Sequence, residues 1–176
     1  SGPVAPVAPT ADFGKAGAAE NIVLVSVTRA RGEVLEGELL VSFTSLDLAA
    51  AGGKKSVALA DIAAIEFIRW QGQKRGKNEY AFVPALVRVS LLDKTVLETG
   101  NIRALGRLLL RTGGRRKTLY TWFFDYREKD AWKNSGQKEM AYPETNPHGD
   151  TVVKIAFIHE SVTNPLDTII NILKKK

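Results

Sequence analysis

The sequence contains no cysteine, and this absence removes several kinds of site at once. Without a thiol the chain has no disulfide, no thiolate zinc or iron–sulfur site and no cysteine nucleophile. No apolar run reaches the roughly 18 residues that a membrane-spanning helix needs, because charged residues interrupt every hydrophobic stretch. The fold is therefore expected to depend on side-chain packing, and a chain of 176 residues is long enough to bury a core.

Histidine is also scarce, and the motifs of common catalytic sites are missing from the sequence. His148 lies in a Pro/Gly loop and His159 ends a predicted strand, so both are expected to be exposed to solvent and not to converge on a metal. The densest acidic group, which includes Asp125, is expected to form ordinary ion pairs with neighbouring cations. There is no Gly-x-Ser-x-Gly elbow, phosphate-binding loop or dinucleotide fingerprint. We therefore predict a protein that is not an enzyme and holds no metal or cofactor.

Large side chains are few in residues 1–19, which consist mainly of Ala, Pro, Gly and Val. Pro3, Pro6 and Pro9 stand three positions apart, and this composition is typical of an extended, disordered tether. Tethers of this kind often separate a lipoprotein anchor or a signal from a folded domain in exported bacterial proteins. The leader therefore favours the cell envelope or periplasm, with a linker in a cytoplasmic protein as the alternative.

From residue 20 onward apolar and polar side chains alternate in short runs separated by Gly, Asn and charged residues. This alternation is clearest in residues 23–27, 87–91 and 151–158, and it is the pattern of β-strands. Asp93 and Lys94 are predicted to form a turn after one of these strands. We predict an all-β protein built from SH3-like or related small barrels.

Two stretches of the chain resemble each other at a separation of about 61 to 62 residues. Residues 34–36 (Val-Leu-Glu) and 52–55 (Gly-Gly-Lys-Lys) match residues 96–98 (Val-Leu-Glu) and 113–116 (Gly-Gly-Arg-Arg). Each glycine pair predicts a hairpin turn, because both glycines accept positive φ. The match predicts two β-modules or one pseudo-symmetric barrel, with chance similarity of two strand-turn-strand units as the alternative.

The module boundaries that follow from this match are residues 20–92 and 93–176. Two segments remain ambiguous. In residues 101–113 arginines recur every four positions, as in an amphipathic helix, whereas the repeat favours a hairpin, which we adopt. The tail over residues 166–173 is either a helix or a closing strand.

Aromatic residues give the main indication of function. In residues 119–126 every second side chain is aromatic, so one face of the predicted strand is almost wholly aromatic. The polar segment 127–150 is longer than most structureless loops and is predicted to be a long partner-docking loop on a β-scaffold, with an Ω-loop or a short helix that covers a barrel end as the alternative. We predict that the chain binds a protein partner or scaffolds an assembly, although aromatic side chains in a core are the alternative. The predicted partner-binding residues are Trp132, Tyr142, Trp122 and Tyr120.

Basic residues cluster at three predicted turns, within a chain whose formal net charge is +6. Small β-barrels bind single-stranded nucleic acid by combining such cations with stacking rings, so a nucleic-acid or polyanion binder is the second candidate function. The alternative is that these cations only keep the turns soluble. The predicted anion-binding residues are Lys54, Lys55, Lys74, Arg75, Lys77, Arg115, Arg116 and Lys117.

Overall fold

The computed structural model describes residues 20–134, 139–140, 146–159 and 173–174. These residues form an all-β structure, as the alternation of apolar side chains predicts. The predicted tether, Tyr142 and most of the tail over residues 166–173 lie outside the described residues.

Thirteen strands and two short 3₁₀ turns make up the described part of the chain. The strands are β1 (Asn21–Arg29), β2 (Val34–Val41), β3 (Ser45–Ala50), β4 (Gly53–Ala58), β5 (Ile62–Lys74), β6 (Glu79–Leu91), β7 (Val96–Thr99), β8 (Arg107–Thr112), β9 (Arg115–Tyr120), β10 (Phe123–Glu128), β11 (Ala131–Asn134), β12 (Glu139–Met140) and β13 (Val152–Phe157). The 3₁₀ turns are Leu59–Asp61 and Arg103–Leu105.

Eleven of these strands form one curled, half-barrel sheet, and β3 and β4 form a second sheet of two strands. The order in the large sheet is β12-β11-β10-β6-β5-β13-β1-β2-β8-β9, and β7 pairs with β6 beside this path. Each described pairing is antiparallel. The core draws fully buried side chains from the whole chain, including Val25, Ile65, Val89, Leu110 and Ile155.

The sequence repeat corresponds to a repeated backbone geometry at an interval of 62 residues. The first copy covers residues 25–59 and the second covers residues 87–121. Four backbone hydrogen bonds of 2.8 to 3.1 Å form two equivalent pairs: Arg29 N–H to Glu33 O and Leu91 N–H to Thr95 O, and Leu59 N–H to Thr44 O and Thr121 N–H to Gly106 O. The same two backbone hydrogen-bond arrangements therefore occur twice in the fold at this interval, and a relation between the two units stays a prediction.

Each copy has a strand that lies against a strand of the other copy. Strand β8 of the second copy pairs with β2 of the first, with Leu110 opposite Leu39, and β3 of the first copy lies against β7 of the second. The C-terminal strand β13 lies between β1 and β5. The boundary at residue 92 stays a prediction, but the described sheet and its core cross it.

The glycine pairs confirm both predicted hairpins, although their turns differ by one position. In the β8–β9 turn Gly113 and Gly114 are the two loop residues, with φ of 56° and 74°. In the β3–β4 hairpin the closing pair is Ala50 and Gly53, so the loop residues are Ala51 and Gly52. The glycine pairs therefore stand 61 positions apart, whereas the hairpins repeat every 62. The segment 101–113, in which the repeat favours a hairpin over a helix, contains the 3₁₀ turn followed by β8, the first strand of the β8–β9 hairpin.

The segment 127–150 differs from the long loop that its polar composition predicts. Arg127 and Glu128 complete β10, and β11 and β12 continue the sheet as an antiparallel meander. The β10–β11 turn consists of Lys129 and Asp130, both at positive φ. Such turns usually contain Gly or Asn, and the absence of both explains why the sequence pattern does not reveal this hairpin.

Candidate binding surface

Four aromatic rings form a continuous row along the end of β9 and the length of β10, which we call the aromatic ladder: Tyr120, Trp122, Phe124 and Tyr126. Their ring centroids are separated in turn by 5.3, 6.2 and 6.0 Å. Tyr120 is exposed, and the other three rings are half-buried. The predicted aromatic face is therefore present, and it keeps part of its surface in contact with solvent.

Thr121 fixes the middle of the ladder to the core. This residue is fully buried, its N–H donates to the carbonyl of Gly106 at 3.1 Å, and its hydroxyl donates to the carbonyl of Leu105 at 3.1 Å. The Nε1–H of Trp70 donates to the carbonyl of Thr121 at 2.7 Å. These three hydrogen bonds fix the backbone between Tyr120 and Trp122.

The indole N–H of Trp122 is unusual, because it is buried and has no hydrogen-bond acceptor among the described residues. An unpaired buried donor costs about 1 to 3 kcal/mol relative to a paired one. Most buried polar groups in folded proteins avoid this cost by finding a partner. An acceptor that reached this nitrogen would therefore gain free energy at the ladder.

Trp132 does not belong to the ladder. It pairs across β10 and β11 with Arg127, so it lies on the face of the sheet that carries Phe123 and not on the face of Trp122. Its ring packs edge-on against Tyr80, with centroids 5.5 Å apart. Of the predicted partner-binding residues, the structure thus brings Tyr120 and Trp122 together and places Trp132 on the opposite face.

The predicted basic residues are all exposed, but they lie on three separate elements. Lys54 and Lys55 are on β4, Arg115 to Lys117 are on β9, and the remaining three belong to the β5–β6 hairpin end. In the large sheet β9 is separated from β5 by β13, β1, β2 and β8. The cations therefore do not form one continuous patch along the sheet.

The β5–β6 hairpin end borders a cleft of about 580 Å³ at the Tyr126 end of the ladder. Its lining residues are Arg75, Lys77, Asn78, Glu79, Tyr126, Arg127 and Glu128. Nη2 of Arg127 lies 3.1 Å from Oδ1 of Asp130, and Oε2 of Glu128 lies 3.2 Å from Nζ of Lys133. Much of the charge in this cleft is therefore already compensated within the protein.

A buried pair of titratable side chains lies on the inner face of β10, and sequence reasoning missed it. Asp125 is fully buried, and its Oδ1 lies 2.8 Å from Nε2 of His148, which is also buried. The His148 ring lies against Phe123, with centroids 4.3 Å apart. The expectation that His148 is exposed is therefore wrong.

Backbone hydrogen bonds explain how His148 becomes buried. Thr151 N–H donates to the carbonyl of His148, Ala30 N–H donates to the carbonyl of Thr151, and Arg31 N–H donates to the carbonyl of Gly149. The alternation of β10 places Asp125 on the same side as Phe123, and this was the available signal that the carboxylate is buried. His159 is exposed as expected, with Nε2 2.7 Å from the carbonyl oxygen of Ile62.

Within the described ranges, the side chains of His, Asp and Glu form no cluster of three or more that could hold a metal ion. The same part of the chain contains no helix long and apolar enough to cross a membrane. Comparison with protein-family models, with curated proteins and with solved structures finds no match. The aromatic ladder and its surroundings are therefore the basis for a functional proposal.

Proposed function

We propose that this chain is a non-catalytic module that binds a protein partner, or scaffolds an assembly, through the aromatic ladder. The observation that carries the proposal is a row of four contacting rings that keeps part of its surface in solvent. Aromatic side chains are enriched in protein interfaces and supply much of their binding free energy. The ladder has the composition of such an interface.

The anchoring of the ladder supports the same proposal. Binding costs less conformational entropy when the contact residues are already ordered. The hydrogen bonds of Thr121 anchor the backbone that carries Tyr120 and Trp122, which supports an ordered contact surface. Arg107 lies directly across from Tyr120 and supplies a polar rim to the aromatic surface.

We further propose that the module acts in a bacterial cell envelope or periplasm, as the Ala- and Pro-rich residues 1–19 favour. A cytoplasmic location is the alternative. Fractionation of the source cells, followed by immunodetection of the chain, distinguishes these two compartments.

The binding proposal is tested with two matched double variants. Trp122→Ser with Phe124→Ser removes the centre of the ladder. The control, Ile22→Ser with Leu24→Ser, removes two apolar side chains two positions apart on β1, which are 54% and 37% exposed. Wild type and both variants are used as bait in an extract of the source cells, and recovered proteins are quantified by mass spectrometry.

A partner that binds through the ladder is recovered with wild type and with the control, and falls at least about tenfold with the ladder variant, which corresponds to about 1.4 kcal/mol. Circular dichroism and thermal unfolding are used to check that both variants fold. Equal recovery of all partners with the ladder variant would contradict the proposal.

A second candidate function, binding of single-stranded nucleic acid or another polyanion, is supported by the ring spacing. Centroid separations of 5.3 to 6.2 Å occur beside Arg107 at the Tyr120 end, and Arg75 and Lys77 line the cleft at the Tyr126 end. Rings with neighbouring cations form stacking platforms for bases. Binding of oligothymidylate should then weaken by orders of magnitude between about 50 and 200 mM salt. No binding at the lower salt concentration excludes this candidate.

A further inference from the structure

We propose that the outer edge of β9 accepts an acidic, extended segment of the protein partner as an additional antiparallel or parallel strand. This inference rests on the proposed protein-binding function, and it names the chemistry of the partner and the mode of its binding. Its basis is the combination of an open sheet edge, uncompensated positive charge and the adjoining aromatic ladder.

The open edge follows from the sheet order. Within residues 20–134, 139–140, 146–159 and 173–174, strand β9 is the last strand of the large sheet and its one pairing partner is β8. Among the described residues, no backbone hydrogen bond reaches the outer side of β9. An edge strand offers a row of free N–H and C=O groups, and an extended peptide satisfies them by adding a strand.

The positive charge of this edge indicates that the bound segment is acidic. Arg115, Arg116 and Lys117 are exposed, and none of them forms an ion pair with a described residue. Lys117 interacts electrostatically with Glu33 and helps to lower the pKa of its carboxyl group. Glu33 already forms an ion pair with Arg31, in which Nη2 of Arg31 lies 2.7 Å from Oε2 of Glu33. The hydrogen bond from Arg31 is the main reason that the pKa of Glu33 is lowered.

A second copy of this chain is a poor occupant of the edge. Two β9 strands side by side would bring three cations of each chain together, and like charges on neighbouring strands destabilise the pairing. An acidic strand reverses the sign of every one of these contacts. The same charges that prevent self-association therefore favour an acidic segment.

Strand alternation predicts where the acidic side chains lie. Arg116 and Tyr120 point to one face of β9, whereas Arg115 and Lys117 point to the other, beside Leu119. A bound segment therefore places acidic residues opposite the three cations and an apolar residue beside Tyr120. Beyond Tyr120 the segment meets the half-buried ring of Trp122.

The internal repeat supplies a matched control within the same chain. Strand β4 is also an edge strand, and its Lys54 and Lys55 are the counterparts of Arg116 and Lys117 at the 62-residue interval. The counterpart of Tyr120 is Ala58, so β4 has the charge without the aromatic ladder. If the ladder and the basic edge act together, charge reversal affects binding on β9 and not on β4.

The probe is a display library of random twelve-residue peptides, selected against the whole chain at about physiological ionic strength. Selected peptides are synthesised with a fluorescent label, and their dissociation constants are measured by anisotropy. Three proteins are compared: wild type, Arg116→Glu with Lys117→Glu, and Lys54→Glu with Lys55→Glu. Each selected peptide is also made with N-methyl groups at alternating residues, which removes backbone donors without changing side chains. Oligothymidylate is the nucleic-acid arm.

The proposal expects peptides rich in Asp and Glu, with an apolar residue near one end. Binding should fall at least about tenfold with Arg116→Glu and Lys117→Glu and stay within about twofold with the β4 control. One of the two N-methylated registers should also lose at least about tenfold, because alternate donors of an added strand face β9.

Four results overturn the proposal: no acidic enrichment, equal binding by the β9 and control variants, no effect of either N-methylated register, or tighter binding of oligothymidylate than of the selected peptides. These failures are distinguishable from failure of the proposed function. If Trp122→Ser with Phe124→Ser still abolishes partner recovery, the ladder remains a protein-binding surface and only strand addition is excluded.

Discussion

The two copies of the repeat, residues 25–59 and 87–121, share their hairpins but differ at the point where each copy ends. Leu59 and Thr121 donate equivalent backbone hydrogen bonds at 2.9 and 3.1 Å. Leu59 begins a 3₁₀ turn in the first copy, whereas Thr121 lies within the aromatic ladder in the second. The shared backbone geometry thus builds the scaffold, and the candidate site consists of aromatic rings whose counterparts in the first copy are Ala58, Ala60, Ile62 and Ala64.

The neighbours of each copy also differ. In the second copy β10 pairs directly with β6. In the first copy β13 separates the corresponding strands β1 and β5 and pairs with both. Strand β8 of the second copy pairs with β2 of the first, and β3 of the first copy contacts β7 of the second. Because of these contacts, and because β13 pairs with both β1 and β5, the copies are expected to fold as one unit.

The largest expected effect is therefore the loss of folding when the copies are separated. Residues 20–92 and 93–176, expressed as two chains, should each show no cooperative unfolding transition, because each lacks partner strands for its buried faces. Mixing the two chains should restore a transition monitored by near-ultraviolet circular dichroism. A cooperative transition in either chain alone would show that the copies are independent domains.

The next effect concerns the interior of the second copy alone. The position 62 residues before Asp125 is Ala63, so the buried pair of Asp125 and His148 has no counterpart in the first copy. Asp125→Ala removes the carboxylate that lies 2.8 Å from the buried imidazole and should lower the free energy of unfolding by about 1 to 3 kcal/mol. Urea denaturation measures this change.

Glu98→Ala is the control for this variant, because Glu98 pairs with Arg88 at the exposed surface. It should change the free energy of unfolding by less than about 1 kcal/mol. A double variant, Asp125→Ala with His148→Ala, should cost less than the sum of the single changes if the two side chains act as a pair. Additive costs would show that they stabilise the fold independently.

Local pattern was sufficient to predict strands and turns in several parts of the chain before residue 127. Alternation in residues 87–91 predicts β6 and its buried side, and Asp93 and Lys94 form the expected turn, which Leu91 N–H and Thr95 O close at 2.8 Å. Asp93 accepts a hydrogen bond from Thr95 N–H, which lowers the pKa of its carboxyl group. These features depend on neighbours in sequence, and sequence reasoning finds them for that reason.

Features that depend on distant strands were not predictable in the same way. The insertion of β13 between β1 and β5 joins residues more than 80 positions apart, with Ile155 opposite both Val27 and Ile65. Alternation shows which residues of a strand share a face, but it does not identify the neighbouring strand. The opposite placement of Trp132 and Trp122 has the same origin, because it depends on a turn at Lys129 and Asp130 that no glycine marks.

The separation of the basic clusters also depends on topology. The sequence places Lys74, Arg75 and Lys77 beside aromatic residues, as it does Arg115 to Lys117. Only the strand order shows that these clusters are on different parts of the sheet. Composition therefore indicated the chemistry of the candidate site, and the fold determined which residues share a surface.

The smallest expected effect compares the equivalent turns of the two copies. Gly32 and Lys94 stand at the same position, with φ of 91° and 72°, and their N–H groups donate to the carbonyls of Arg29 and Leu91. Gly32→Ala should lower the free energy of unfolding by about 1 kcal/mol. A Cβ at Gly32 meets no atom within 4 Å, so this cost arises from the backbone conformation and not from a clash.

Lys94→Gly should change the free energy of unfolding by less than about 0.5 kcal/mol, because glycine relieves the strain at positive φ but raises the entropy of the unfolded chain. Gly100→Ala is the control, since Gly100 is not at positive φ and a Cβ there also meets no atom within 4 Å. It should leave the protein as stable as wild type or slightly more stable. Thermal unfolding at one protein concentration measures all three. If Gly32→Ala costs no more than Gly100→Ala, the two turns do not require the same left-handed conformation, and the structural equivalence of the copies fails at this position.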